Sequence, residues 1–286
     1  IKDYSFRWRW NMVNDFRPQS IESSGIKSYP TANYVNYYGM QNGYPINDMT
    51  KADAESGYDP THPWKNRDPR FYKTIMFDGV KWRNTGGAGG TAELFTGGRE
   101  SEEANEKKGC FTAYMNSKLC PQLMNTFDGY KENNIMILSL MRLADVYLMY
   151  AEATAVGYNS PKGKAATYSL TAEEALNKIR ERAGVAPVLE KFLGSTADFL
   201  SELRRERAVE LSFEGFRFTD LRRWMLLTQY PYTLKTKIEF DRADPNNYNY
   251  DAPEENAIKN LREVVLIERK YTDRHYWYPL PKKDVS

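Results

Sequence analysis

Histidine and cysteine are nearly absent, at two residues each in a chain of 286. His62 and His275 stand alone, with no HExxH spacing. Cys110 and Cys120, within CFTAYMNSKLC, lack the second ligand pair of a zinc site and any recognisable nucleophile context. No GxSxG elbow occurs, and no apolar run approaches the ~18 residues that a membrane helix needs. Charge of one sign is missing too: 40 Lys and Arg stand against 38 Asp and Glu, a net of +2. That balance gives no electrostatic case for nucleic acid or an anionic membrane surface. No metal or cofactor is expected. Two carboxylates suffice for a glycosidase, but the most patterned acids here are interleaved with arginine, which pulls a carboxyl pKa away from general-acid use. A non-catalytic protein is the expectation.

Aromatic residues, by contrast, are abundant: 21 Tyr and 6 Trp. Tyr34, Tyr37, Tyr38, Asn42 and Tyr44 fall in one loop-like stretch, and Trp64 lies beside Asn66 and Arg67 in DPTHPWKNRDPR. A pyranose offers an apolar C–H face and a rim of hydroxyls; flat rings cover the first, while amides and guanidiniums bind the second. Tyr34, Tyr37, Tyr38, Asn42 and Trp64 are therefore the candidate ligand-binding residues. The competing role for each ring is packing of loops onto a scaffold, and Trp82 is assigned to the core. Arg67, Asp68 and Arg70 read as structural, holding a kink at Pro69 through paired charge.

The chain divides into three stretches. Residues 1–136 are loop-rich with short strands. Tyr4, Phe6, Trp8 and Trp10 alternate with polar residues as in a half-buried strand, and FYKTIMF-DG-VKWRN reads as a hairpin on a type I′ turn at Asp78-Gly79. The glycine-rich, then charged, segment 85–108 reads as a surface loop, with a lid over a ligand as the sharper alternative. Residues 137–229 are helical. Leu140, Leu143, Ala144, Tyr147, Leu148, Ala151 and Ala155 recur at helical spacing. Thr171 and Glu174 form a capping box, Gly184 stops that helix, and Ser195 or Thr196 caps the next, which runs to about Phe213. A fourth helix is expected around 219–228. Residues 230–286 return to loops and short strands, with Val264–Ile267 as a buried strand and Tyr276–Pro279 as a packed finish. Asp241, Asp244, Asn246 and Asp251 have the oxygen chemistry of a calcium loop but lack EF-hand order, and they are equally ordinary turn residues.

The most patterned segments are IRERAGV (179–185) and LRRERAVELSFEGFRFTDLRRW (203–224). Glu206, Glu210 and Glu214 repeat at one-turn spacing among arginines and large apolar residues, so some charges must lie against the core. Such ions are stable only when paired, which predicts a joint locking helices together. With LMRLADVYLMYAEA (140–153), YPTANYVNYYGMQNG (29–43), NRDPRFYKTIMFDGVKW (66–82) and YPLPKKD (278–284), these runs resemble the SusD/RagB family of nutrient-binding lipoproteins.

The resemblance implies a mainly α fold, tetratricopeptide-like helical pairs with a loop-rich region carrying short strands and a β-hairpin. It implies oligosaccharide or polysaccharide binding without catalysis at the extracellular face of a Bacteroidetes outer membrane. The glycan would pass to a SusC-like TonB-dependent transporter as partner. Since the chain opens on Ile1 without a signal peptide or lipidation cysteine, the lipid anchor is expected outside it, and the chain corresponds to the C-terminal portion of the family fold. Export of the family favours a Cys110–Cys120 disulfide over two free thiols. A peptide ligand, or a scaffold that docks the transporter without a ligand, are the alternatives.

Overall fold

The computed structural model describes residues 29–46, 53–84, 90–120, 125, 127–128 and 139–279. The alternating segment Tyr4–Trp10, residues 85–89 of the glycine-rich segment and the last residues of the closing YPLPKKD run lie outside them.

Helix α1 (Ala32–Val35) is short, and helix α2 (Pro69–Thr74) opens on Asp68. The Asp68 carboxylate accepts the Arg70 amide at 2.9 Å, and Pro69 occupies the first helical position, where its missing N–H costs nothing. Pro69 therefore starts a helix rather than kinking a loop. Strand β1 (Ile75–Met76) follows and pairs antiparallel with β2 (Met115–Asn116).

Asp78-Gly79 does turn the chain, with the Val80 amide bonding Phe77 O at 3.2 Å. Only Gly79 has positive φ, at 82°, so the turn is not type I′. The two arms then part: one pairs with Met115–Asn116, and the other bonds 90–91 through Trp82 N to Gly90 O. The expected local hairpin is thus replaced by two separate pairings, because the upstream arm is committed to the Asp68-capped helix. Gly79 is also required sterically, since a Cβ there would lie 2.5 Å from the Tyr248 hydroxyl.

Helix α3 (Leu143–Gly157) buries Ala144, Leu148, Ala151 and Ala155 on one face. Leu140 and Leu143, expected on that face, are exposed. Small alanines let α4 (Ala172–Ala183) and α5 (Thr196–Glu210) approach, closing a core around Leu176, Ile179, Phe199 and Leu203. The capping box of α4 forms between Thr171 and Glu174, and Gly184 ends it at φ 75°. Ser195 caps α5, accepting the Asp198 amide at 3.1 Å. Helix α5 ends at Glu210, before Phe213, and α6 (Phe216–Arg223) starts earlier than expected. Phe213 and Gly215 between them take positive φ, which breaks the helical path.

Strands β3 (Leu234–Arg242) and β4 (Ile258–Glu268) form the longer antiparallel pair. On β3, Thr236, Ile238, Phe240 and Arg242 alternate inward. Val265 and Ile267 of β4, expected to be buried, are each 57% exposed, because no further layer covers that face among the described residues. Trp277 and Tyr278 are likewise exposed rather than packed. A second core joins β3 to the loops through Trp64, Phe71, Phe77, Tyr114 and Phe240.

The charged joint forms as expected. Arg180 of α4, wholly buried, binds Glu202 and Glu206 of α5. Arg70 of α2 reaches Glu206 and Glu210. Arg142, just ahead of α3, binds Glu210 and Glu214, while Arg207 joins Asp145 of α3 to Asp220 of α6. Five helices and the segment after α5 are cross-linked by bonds that leave few buried charges alone. Removing one member of such a network costs about 3–5 kcal/mol. Arg67 works differently: its guanidinium is buried and bonds the carbonyls of Val35, Tyr38 and Pro63. It staples the Tyr-rich loop to the following segment without a carboxylate.

Candidate binding cleft

A cleft of about 520 Å³ opens where α1, α5, α6 and the β3–β4 pair meet. Helix α1 contributes Asn33, and Asn36 and Tyr37 follow directly behind it. From α5 come Glu202, Arg204 and Arg205; from α6, Arg217. The turn before β3 supplies Tyr230 and Tyr232, and the strands add Thr236 and Glu263.

Arg217 organises one wall. Its Nη2 donates to the Tyr37 hydroxyl at 2.8 Å, and its guanidinium lies 4.8 Å from the Tyr37 ring centroid and 5.6 Å from that of Tyr232. Burial raises the Tyr37 hydroxyl pKa, with Arg217 opposing, so the phenol is neutral and remains a hydrogen-bonding group. Arg205 is engaged: it binds Glu202 at 2.8 Å and the Tyr37 carbonyl at 2.9 Å. Burial alone would raise the Glu202 pKa, but Arg205 and Arg180 outweigh it and hold the group ionised. Glu263 accepts from the Thr236 hydroxyl and, at 3.4 Å, from Asn36 Nδ2, while Asn36 Oδ1 is buried without a donor. Tyr230 is 76% exposed, so its ring is free to be covered.

The candidate residues from the sequence scatter around this cleft. Tyr37 lines it. Tyr34 is part-buried behind it, its hydroxyl donating to Ala208 O at 2.7 Å. Tyr38 is wholly buried and donates to Ser212 Oγ at 2.7 Å. Trp64 is also wholly buried, its ring tilted against Phe77 with centroids 5.0 Å apart, and it donates to the Tyr114 hydroxyl at 3.3 Å. Asn42 is exposed at a separate depression, where its Nδ2 bonds Ser56 O at 3.0 Å. Trp82 is in the core as expected.

Sequence reasoning missed Arg204, Arg217, Tyr230 and Tyr232. The QYPYT run at 229–233, two rings about a proline, carries a legible signal for the tyrosines. The arginines are hidden among others that are paired.

Among the described residues no group of three or more His, Cys, Asp and Glu is placed to hold a metal ion. In the 241–251 segment Asp244 serves a turn, accepting the Asn246 and Asn247 amides, and Asp241 of β3 accepts from Asn260 of β4. Cys110 and Cys120 are not joined to each other, so the expected disulfide is not formed. Cys110 is buried and its thiol bonds Tyr114 O at 3.2 Å. No described helix is long and apolar enough to cross a membrane.

Comparison with known proteins agrees with this architecture. The SusD family matches residues 2–286, and the chain belongs to that family. A crystal structure of a SusD-like protein from Bacteroides fragilis superposes with a TM-score of 0.63 at 21% identity, over 96% of this chain and 48% of that one. A SusD superfamily protein from Bacteroides vulgatus aligns over 80% of this chain and 46% of its own, at 19% identity and a TM-score of 0.44. The chain spans about half the length of the solved structures that it matches. Among curated proteins nothing matches.

Proposed function

We propose that the protein captures oligosaccharide in the Tyr37–Arg217 cleft and hands it on unchanged. One observation carries the reading: the cleft combines ring surface (Tyr37, Tyr230, Tyr232) with fixed donors and acceptors (Arg217, Asn36, Glu263) in a volume of about 520 Å³. This is the pairing of flat apolar area with a polar rim that a sugar requires. Membership of the SusD family supports nutrient binding, and family members are generally non-catalytic. The carboxylates of the cleft are consistent with that, since Glu202 is held by arginines and Glu263 by Thr236 and Asn36.

On the same reading the protein lies at the outer face of the outer membrane, anchored by lipid and paired with a SusC-like TonB-dependent transporter. The α3–α5 helices are then tetratricopeptide-like pairs, with the 137–229 stretch as scaffold and 1–136 and 230–286 as the faces around the cleft. Of the original candidates, Tyr37 is the ligand contact; Tyr34 supports it, its ring edge-on to Tyr37 with centroids 5.7 Å apart.

Titration calorimetry of the intact protein against starch, levan, mucin-type and acidic glycans tests the reading. Saturable binding with the glycan recovered intact supports it. Release of shorter products, or binding of peptides and no glycan, overturns it.

A further inference from the structure

The arginines that lock the helices together are matched to carboxylates. Arg70, Arg142, Arg180, Arg207 and Arg223 each hold two or more. The cleft breaks that pattern. Of its three lining arginines, only Arg205 is neutralised, by Glu202. Among the described residues, Arg204 and Arg217 have no ion-pair partner.

Neither is a freely hydrated surface charge. Both are half-buried, and the Arg204 Nε is closed to solvent with no hydrogen-bond acceptor. The Arg204 guanidinium lies 5.4 Å from the Trp224 ring centroid, and Arg217 is braced by Tyr37 and Tyr232. Arg217 spends one of its five N–H groups on Tyr37, leaving most of the planar fork undirected. Lys235, between the cleft residues Leu234 and Thr236 on β3 but not itself lining the cleft, is near enough to feel both Arg269 and Arg217. The negative groups facing the same space are Glu202 and Glu263. Glu202 is already neutralised by Arg205 and Arg180, and Glu263 accepts from Thr236 and Asn36.

We infer that the cleft selects acidic oligosaccharides, with Arg217 and Arg204 meeting a carboxylate or sulfate while the tyrosines cover the sugar ring. A half-buried guanidinium held rigid by rings gains from a planar or tetrahedral oxyanion, because the fork is pre-set and the ion has little water to lose. Glu263 then turns the ligand, accepting from a sugar hydroxyl and repelling an anion from its own side. This rests on the glycan-capture reading and narrows its substrate class.

The test is calorimetric titration of the intact protein with two matched pairs. Tetragalacturonate against its methyl ester isolates the carboxylate; a sulfated carrageenan oligosaccharide against its desulfated form isolates the sulfate. The expected result is binding of at least one charged member at least about tenfold tighter than its neutral partner, weakening as salt rises. Arg217→Gln and Arg204→Gln should abolish that preference, with Arg217→Lys restoring part of it in a protein of unchanged melting temperature. Equal affinity for charged and neutral members overturns the inference and leaves glycan capture standing. Preference for an acidic peptide such as oligoglutamate over every glycan overturns both.

Discussion

Arg217 and Tyr37 lie 180 positions apart, yet one guanidinium both donates to the phenol at 2.8 Å and covers its ring at 4.8 Å. This contact joins α6 to the tyrosine loop and forms a wall of the cleft. Tyr37→Phe removes the hydrogen-bond acceptor and keeps the ring, so it should weaken glycan binding by a few-fold. Tyr37→Ala removes both and should weaken it by about tenfold or more. Calorimetry on the two variants separates the contributions. Equal affinity in wild type and Tyr37→Ala would show that the ligand lies elsewhere.

Stability should fall at acid pH through the ion network. Burial would raise the Glu206 pKa, but Arg70 and Arg180 outweigh it and hold it at about 2, below the ordinary 4.5. A depressed carboxyl contributes stability that is present above its unfolded pKa and lost as pH falls through the folded one. The difference amounts to about 3 kcal/mol, shed between about pH 4.5 and 2. Melting temperature measured across that range should drop steeply in wild type and more gently in Glu206→Gln, which starts lower. A flat wild-type profile would contradict this.

That network was the most legible feature of the sequence. Charges at one-turn spacing among Leu203, Leu211 and Phe213 had to be paired, and the buried Arg180–Glu202–Glu206 cluster is the result. Caps were legible for the same local reason: Thr171, Gly184 and Ser195 act through neighbours within a turn. Pairing between distant segments was not. Met115–Asn116 claims the strand that Asp78-Gly79 seemed to fold onto its own neighbour, and nothing local announces that partner. The cleft suffered likewise. Trp64 and Tyr38 have the right chemistry for sugar but sit at zero exposure, whereas Tyr230 gains its exposure from a turn whose surroundings are set by β3 and α6. Residue type reveals what a site needs; only the fold decides which copies of that type face solvent.

Thiol chemistry checks the cysteines. Burial pushes the Cys110 thiol up to about 11, so little thiolate exists at neutral pH and access is closed. Ellman's reagent should modify Cys120 first in the native protein and both thiols after denaturation without reductant. No free thiol in the denatured, unreduced protein would show that a disulfide forms after all.

Affinity for an acidic ligand should depend on alkaline pH. Burial foremost, then Arg269 and Arg217, lowers the Lys235 pKa from 10.5 to about 8. Below about 8 the ammonium is charged and draws an anion; above it the group is neutral, and only the arginines remain, opposed by Glu263. Binding of an acidic glycan should therefore weaken between about pH 7 and 9, and Lys235→Met should remove that dependence. An identical pH profile in the variant would discount Lys235.

The most direct test of the account is a crystal structure of the intact protein with a bound oligosaccharide. The account places a sugar ring against Tyr37, Tyr230 or Tyr232, with Arg217 in hydrogen-bonding reach and Trp64 still enclosed. Sugar density at the Asn42 depression, or on the exposed Trp277–Tyr278 surface with the cleft empty, would contradict it.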